Sequence, residues 1–184
     1  MDSVAILLLA GGDASRFPGK LEHQIEGRPM LARCFDRLRA SGHPVYIAAR
    51  GSFSPPLDAQ IDAPLLVDRH PGAGPLYALL DACATVRADR VFAVAADQPN
   101  IDAALVARLT AAWQEGDEAV VPEHHGKIEP LAAVYDRRAA LREGFELRTS
   151  RNHAVRDLVG RLHARFLPCA RDYFHNVNRP EDLP

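Results

Sequence analysis

The chain has 184 residues, 47% of them apolar and 25% charged, with a formal net charge of −2. That length supports one domain with a proper core, and the charge balance leaves no general basic field for nucleic acid. No apolar run approaches the ~20 residues of a membrane span, and Cys34, Cys83 and Cys169 are too widely spaced to suggest a metal pattern or a disulfide framework, so they read as buried thiols of a reducing compartment.

An acid rather than a basic stretch precedes the first apolar run, so the N-terminus does not read as a signal peptide and the expected location is the cytoplasm. That run, residues 4–10, is short and stops at Gly11-Gly12, which predicts a buried strand. The loop behind it gathers Gly11, Gly12, Ser15, Arg16 and Lys20. Glycines let backbone N–H groups close on a ligand, and a turn of such groups makes an anion-binding concavity. Arg16 and Lys20 add full positive charge, so the stretch is suited to a polyphosphate. It matches neither the Walker loop, because Gly19-Lys20 is followed by Leu21, nor the Rossmann glycine fingerprint.

Residues 21–29 read as a connecting loop. In residues 30–41, Met30, Leu31, Cys34, Phe35 and Leu38 recur at helical spacing, and Gly42 stops the helix. Strands are predicted at 44–49 and 63–67, with a Ser- and Pro-rich loop at 51–56. The loop 68–75 leads into a helix at 76–86, and an apolar strand at 90–96 ends in Asp97-Gln98-Pro99. Asp102 caps a helix running to about Glu115. Further strands are predicted at 118–121 and 129–135 around a turn at Gly126, then amphipathic segments at 138–147 and 153–162, and tail segments at 164–167 and 173–184. Strands alternate with helices to about position 116, which predicts a three-layer α/β/α fold with a mostly parallel sheet. In such folds ligands sit beyond the carboxyl ends of the strands. The loops 11–20, 68–75 and 97–99 all follow strands and should share one rim.

On that rim Asp97 can hold Mg²⁺, which prefers one or two carboxylates plus phosphate oxygens and water; a turn role before Pro99 suits the same residue. Asp68 reads either as a turn former or as an acceptor for a purine or sugar, since a carboxylate can take both the ring N–H and the exocyclic amine of a base such as guanine. His124-His125, beside Gly126, read as exposed turn histidines rather than ligands. Ser15 lacks the context of a hydrolase nucleophile. The arginines from Arg137 to Arg151 read as solvated helix faces and a loop, with Arg148 and Arg151 meeting an anionic second substrate as the minority reading.

Four places resemble one family. LLLAGGDASRFPGK resembles the nucleotide loop of the molybdenum cofactor guanylyltransferases, and DRHPGAGPLYALL their D-x-x-x-G-x-G-P-L segment. VAADQPNI resembles their acidic metal turn, and EPLAAVYD with FHNVNRPEDL their acceptor-side strand and C-terminal motif. The resemblance runs from about residue 4 to residue 183 and implies a Rossmann-like fold of the nucleoside-diphospho-sugar transferase (glycosyltransferase-A-like) type. It implies transfer of GMP from GTP to the terminal phosphate of molybdopterin, with Mg²⁺ as cofactor and pyrophosphate as leaving group. By resemblance Gly11, Gly12, Arg16 and Lys20 bind the triphosphate, and Arg16 and Lys20 help pyrophosphate depart. Asp97 holds the metal, and Leu9, Ala10, Asp68 and Gly74 hold base and ribose. Asn176, Asn178 and Arg179 fall on the acceptor side, so residues 1–116 form the nucleotide half and 117–184 the acceptor half. Transient handover to cofactor-delivering proteins or molybdoenzymes is an expectation of the same kind; neither nucleic acid nor a membrane is expected as a partner.

The chain departs from the family pattern at three points. Only Phe17, Pro18 and Gly19 separate Arg16 from Lys20; the strand ending at Ala48-Ala49-Arg50 lacks an Asn; Arg179 stands where Thr is usual. Cytidylyl transfer from CTP, or guanylyl transfer to a corrinoid or sugar phosphate, are therefore the alternatives. A nucleotide-binding module without turnover is the reading from another class, and the presence of both Lys20 and Asp97 speaks against it.

Overall fold

The computed structural model describes residues 3–11, 17–149 and 154–183. In chain order it contains β1 (Val4–Leu9), a small hairpin of β2 (Gln24–Ile25) and β3 (Arg28–Pro29), α1 (Met30–Arg39), β4 (Val45–Ala49), α2 (Pro55–Asp58), β5 (Leu65–Val67), α3 (Pro75–Thr85) and β6 (Arg90–Ala95). There follow α4 (Ala103–Ala111), β7 (Ala119–His124), β8 (Lys127–Ile128), β9 (Ala132–Asp136), α5 (Arg137–Thr149), α6 (Val155–Val159) and β10 (Ala164–Pro168), with 3₁₀ turns at Arg171–Phe174 and Pro180–Asp182.

The main sheet has the order β10-β7-β9-β6-β1-β4-β5, with β8 attached to β7. β1 pairs parallel with β4 and β6, and β4 with β5, whereas β9 runs antiparallel to both of its neighbours. The central β1 is buried at every position, as a strand covered on both faces must be. Its alternation sends Ile6 and Leu8 into a core with α1 and α4, and Leu7 and Leu9 into a core with α3, α5 and α6. These are the three layers that the strand–helix alternation predicts.

Local chemistry explains the helices. α1 buries Met30, Leu31, Cys34, Phe35 and Leu38 and carries Arg37 and Arg39 in its last turn, where cations favour the helix dipole. The Asp102 carboxylate accepts the Leu105 N–H at the start of α4, the capping role expected of it. In α5, a Cβ on Gly144 would lie 2.4 Å from Leu80 Cδ2, so the glycine lets α5 close on α3.

Several local expectations change: α2 overlaps the loop expected at 51–56, and α4 ends at Ala111 rather than near Glu115. Residues 21–29 are not a plain loop, because the β2–β3 hairpin turns through Glu26 and Gly27, both at positive φ. β7 continues past Val121 to His124, since β8 supplies an antiparallel partner there. Of the segment predicted at 153–162, the described residues 154–162 hold the short α6. Among the described residues no helix is long and apolar enough to cross a membrane.

Candidate active site

The sheet register brings distant loops together. Leu9 stands level with Ala48 and Ala95, and Ala49 with Val67. Backbone bonds carry the alignment one residue further: Ala10 N–H donates to Ala48 O (2.7 Å), Asp68 N–H to Ala49 O (2.8 Å) and Ala96 N–H to Leu9 O (3.0 Å). A cleft of about 540 Å³ opens on this rim. Of the residues expected at a site, Leu9, Ala10, Gly11, Lys20, Asp68, Gly74 and Asp97 line it. Gly12 and Arg16 lie outside the described residues.

The charged centre of the cleft is an ion pair. Lys20 Nζ lies 3.1 Å from Asp97 Oδ2, and the two side chains are 11% and 23% exposed. Their loops are separately fixed. The Lys20 turn closes on itself through Lys20 N–H to Phe17 O (3.2 Å) and Glu22 N–H to Gly19 O (2.9 Å), with Gly19 at a φ of 72°. Buried Phe17 packs its ring against His23 and anchors that turn. Asp97 is held through its backbone, since its carbonyl accepts the Val177 N–H at 2.8 Å. Beneath it Cys34 Sγ–H meets Ala96 O at 3.5 Å. Burial, and then the Asp97 charge, push the Cys34 thiol up to about 12, which makes it a poor nucleophile.

Asp68 forms the turn expected of it and also lines the cleft. Oδ1 accepts the His70 N–H at 2.8 Å, a turn-forming bond. Oδ2 stands 3.5 Å from where a Cβ on Gly11 would be, so it faces the end of β1. Gly74, at φ 95° and ψ 171°, precedes Pro75 at the start of α3. Both line the cleft, which therefore receives the positive end of an 11-residue helix.

The C-terminal motif meets the Asp97 turn through its backbone, but Asn176, Asn178 and Arg179 do not line the cleft. The Val177–Asp97 bond sets Asn176 and Asn178 on either side of a residue that touches the Asp97 backbone. Asn178 and Arg179 both donate their N–H to Asp182 Oδ2 at 2.9 Å. These backbone bonds hold the Asp182 carboxyl below its ordinary range. The Arg179 side chain is exposed, with Glu181 at 3.6 Å.

Elsewhere the structure corrects the sequence reading. His125 is exposed in the hairpin turn at φ 48°, as expected, but His124 is not a turn histidine. Its side chain is only 9% exposed, Nε2 lies 2.7 Å from Glu129 Oε1, and the ring stacks on Phe174. Extending β7 by three residues in the sequence reading would have placed it in the strand. Arg148 does not stand free for an anion: it pairs with Asp81 and lies over the Tyr77 ring at 4.9 Å. Arg151 falls outside the described residues. Arg137 is likewise tied inward, to the carbonyls of Ala88 and Cys83. Cys169 is half-buried rather than buried.

Arg50, Phe53, Leu57 and Leu131 line the cleft without having been singled out. Arg50 had a usable signal, because it directly follows a strand end. The other three are ordinary apolar residues that only the fold brings to the rim. Among the described residues no group of three or more His, Cys, Asp or Glu side chains could cage a metal. Instead, the described lining brings the Lys20 ammonium and the Arg50 guanidinium together with the carboxylates of Glu22, Asp68 and Asp97 around a glycine-bordered concavity.

Comparison with known proteins agrees with this geometry. Residues 6–179 match the family model described as the MobA-like NTP transferase domain. A molybdenum cofactor guanylyltransferase from Bradyrhizobium sp. (strain ORS 278) is 35% identical over 96% of this chain and 88% of its own. One from Desulfosudis oleivorans is 30% identical over 75% of this chain and 68% of its own. In fold, the chain is similar to molybdopterin-guanine dinucleotide biosynthesis protein A from Archaeoglobus fulgidus, with a TM-score of 0.80 at 21% identity, covering 97% of this chain and 94% of that one.

Proposed function

The chain belongs to the MobA-like NTP transferase family, and on that premise we propose that it moves GMP from GTP onto the terminal phosphate of molybdopterin and releases pyrophosphate. The observation that carries this reading is the Lys20–Asp97 pair, 3.1 Å apart in a cleft at the carboxyl rim of the sheet. An oxygen of the acceptor phosphate bonds to the α-phosphorus, and the bond from that phosphorus to the bridging oxygen of the β-phosphate breaks. The attacking group is already an anion, so no strong general base is required. The protein has to align the reactants and offset the build-up of charge.

Gly11, Gly12, Arg16 and Lys20 cradle the triphosphate, and Arg16 and Lys20 meet the charge that grows on the departing pyrophosphate. Asp97 suits Mg²⁺: it is a hard oxygen donor with no cage of further ligands among the described residues, as fits an ion that takes its other ligands from phosphate and water. Bound there, the ion would neutralise phosphate charge near the reacting phosphorus. Leu9, Ala10, Asp68 and Gly74 hold base and ribose, and the Asp68 carboxylate can accept both the ring N–H and the amine of guanine. Asn176, Asn178 and Arg179 border the acceptor. Residues 1–116 thus serve the nucleotide and 117–184 the acceptor. The expected setting is the cytoplasm, where the three thiols stay reduced, with handover of the product to cofactor-delivering proteins or molybdoenzymes.

The test is a binding and thermal-shift comparison of GTP, CTP, ATP and UTP with Mg²⁺, using Lys20→Ala as control. Selective stabilisation by GTP that the variant loses supports the proposal. A preference for CTP moves the protein to cytidylyl transfer on the same machinery. The absence of any nucleotide effect at millimolar concentration overturns it.

A further inference from the structure

The His124–Glu129 pair stands outside the cleft lining and has no part in the chemistry above, yet it is built with unusual care. The His124 ring is stacked on Phe174 with centroids 5.0 Å apart and planes 11° from parallel. Its Nε2 is 2.7 Å from Glu129 Oε1, while its Nδ1 is shut off from solvent with no hydrogen-bond partner among the described residues. The bonding assigns the tautomer: Nε2–H donates to the carboxylate, and Nδ1 keeps a bare lone pair. An anchor for Phe174 that worked by apolar burial alone would be better served by a leucine or a second phenylalanine. What the imidazole adds is a directed bond that fixes the plane of the ring, and with it the plane of Phe174.

The contacts around this pair close into a circuit that begins and ends on the Asp97 turn. Ala95 N–H donates to Leu131 O (3.2 Å), and two residues earlier Glu129 is locked by its own N–H to Pro122 O (2.9 Å). Glu129 holds His124, His124 carries Phe174, and three residues on Val177 N–H returns to Asp97 O (2.8 Å). Asn100 Nδ2 adds a second tie to the tail at Asp172 O (2.9 Å). The segment bearing Asn176 and Asn178 is therefore referenced to Asp97 from two directions.

We propose that Glu129 and His124 are positioning residues for the acceptor: through Phe174 they set the tail segment 176–178 against Asp97, where the acceptor phosphate must lie. This rests on the guanylyl-transfer reading. It separates the two substrates, because the circuit touches none of the residues assigned to GTP except the backbone of Asp97. Glu129→Leu removes the bond that fixes the imidazole, Glu129→Gln keeps an acceptor for Nε2–H, and His124→Phe keeps a stacked ring without the bond. Steady-state kinetics with molybdopterin should give Glu129→Leu and His124→Phe a five- to twenty-fold higher acceptor KM with a GTP Kd within two-fold of the parent, and Glu129→Gln should restore most of the loss. Amide exchange at Val177 should quicken in the same two variants. An unchanged acceptor KM, or a parallel loss of GTP affinity, overturns the proposal. If the parent protein binds no GTP, the guanylyl-transfer reading fails separately. The Val177 exchange rate then still decides the positioning claim, which quickened exchange in Glu129→Leu supports and unchanged exchange overturns.

Discussion

The rim of the sheet has two sides that are built differently. Around β1, β4, β5 and β6 the strands are parallel and their ends stand level. Each contributes a short loop whose polar residues enter one cleft. Around β9, β7 and β10 the sheet reverses direction at β9, and the rim is finished by the tail. There the ties run between positions far apart in the chain, such as His124 with Phe174 and Val177 with Asp97. The first side concentrates charge on backbone set by the strands. The second side ties its charges into local pairs such as His124–Glu129 and Arg179–Glu181 and depends on packing to place its asparagines. A ligand rich in phosphate needs the first construction; a partner that must meet it at one angle needs the second.

The strongest way to break this contrast is to remove charge from the first side. Lys20→Ala and Asp97→Ala should each lower kcat/KM by about 10²–10³-fold, the loss typical of a preorganised group facing developing charge. Because the two side chains share one ion pair, the double variant should lose much less than the product of the singles. Full activity in either single variant, measured with Mg²⁺ present, would remove that residue from the site.

Backbone conformation gives a second, smaller separation. Gly74 holds φ 95° and ψ 171° on the cleft, a region essentially closed to residues with a Cβ. Gly74→Ala should cost about 1–3 kcal/mol, or roughly 2–10 °C in Tm for a chain of this size. Gly160, which ends α6 away from the cleft, sits at φ −66° with only ordinary contacts for an added Cβ. Gly160→Ala should stay within about 0.5 kcal/mol of the parent. Equal losses in thermal melts would show that the cleft glycine is not conformationally required.

The same contrast explains what could be read before any coordinates. That Gly11, Lys20, Asp68 and Asp97 share one rim was legible because their loops follow apolar strands and carry local turn chemistry. The three layers followed from strand–helix alternation. The role of His124 was not legible, because its neighbours in sequence, His125 and Gly126, are a genuine turn. Its partners Glu129 and Phe174 are ordinary in isolation, and only the antiparallel return and the tail join them. Arg148 misled for a related reason: a cationic residue near a loop looks solvated until α3 supplies Asp81. Phe53 and Leu57 line the cleft as plain apolar residues, with nothing in their local sequence to distinguish a cleft wall from core.

One cluster joins the two sides, and it offers the finest test of whether they are held independently. Asp81 on α3 accepts from His70 Nδ1, in the loop that carries Asp68, and from Arg148 near the end of α5. Burial pushes the Asp81 carboxyl up, but the hydrogen bonds from His70 and Arg148 outweigh it and hold the group below its ordinary range. A carboxyl depressed on folding contributes stability that is present above its unfolded pKa, about 3.9. That contribution is lost as pH falls through the lower, folded value. Asp81→Asn, which keeps an acceptor but not the charge, should therefore cost about 1 kcal/mol at pH 7, and the gap to the parent should shrink as denaturation is followed down from pH 4. A gap of the same size at pH 3 would remove the carboxylate from the argument. Amide exchange then locates the effect. The His70 amide, bonded to Asp68 Oδ1, should quicken, while the Val177 amide, held by the Glu129–His124–Phe174 circuit, should not. If both quicken together, the cluster couples the nucleotide loop to the tail, and the two sides of the rim answer to one constraint instead of two.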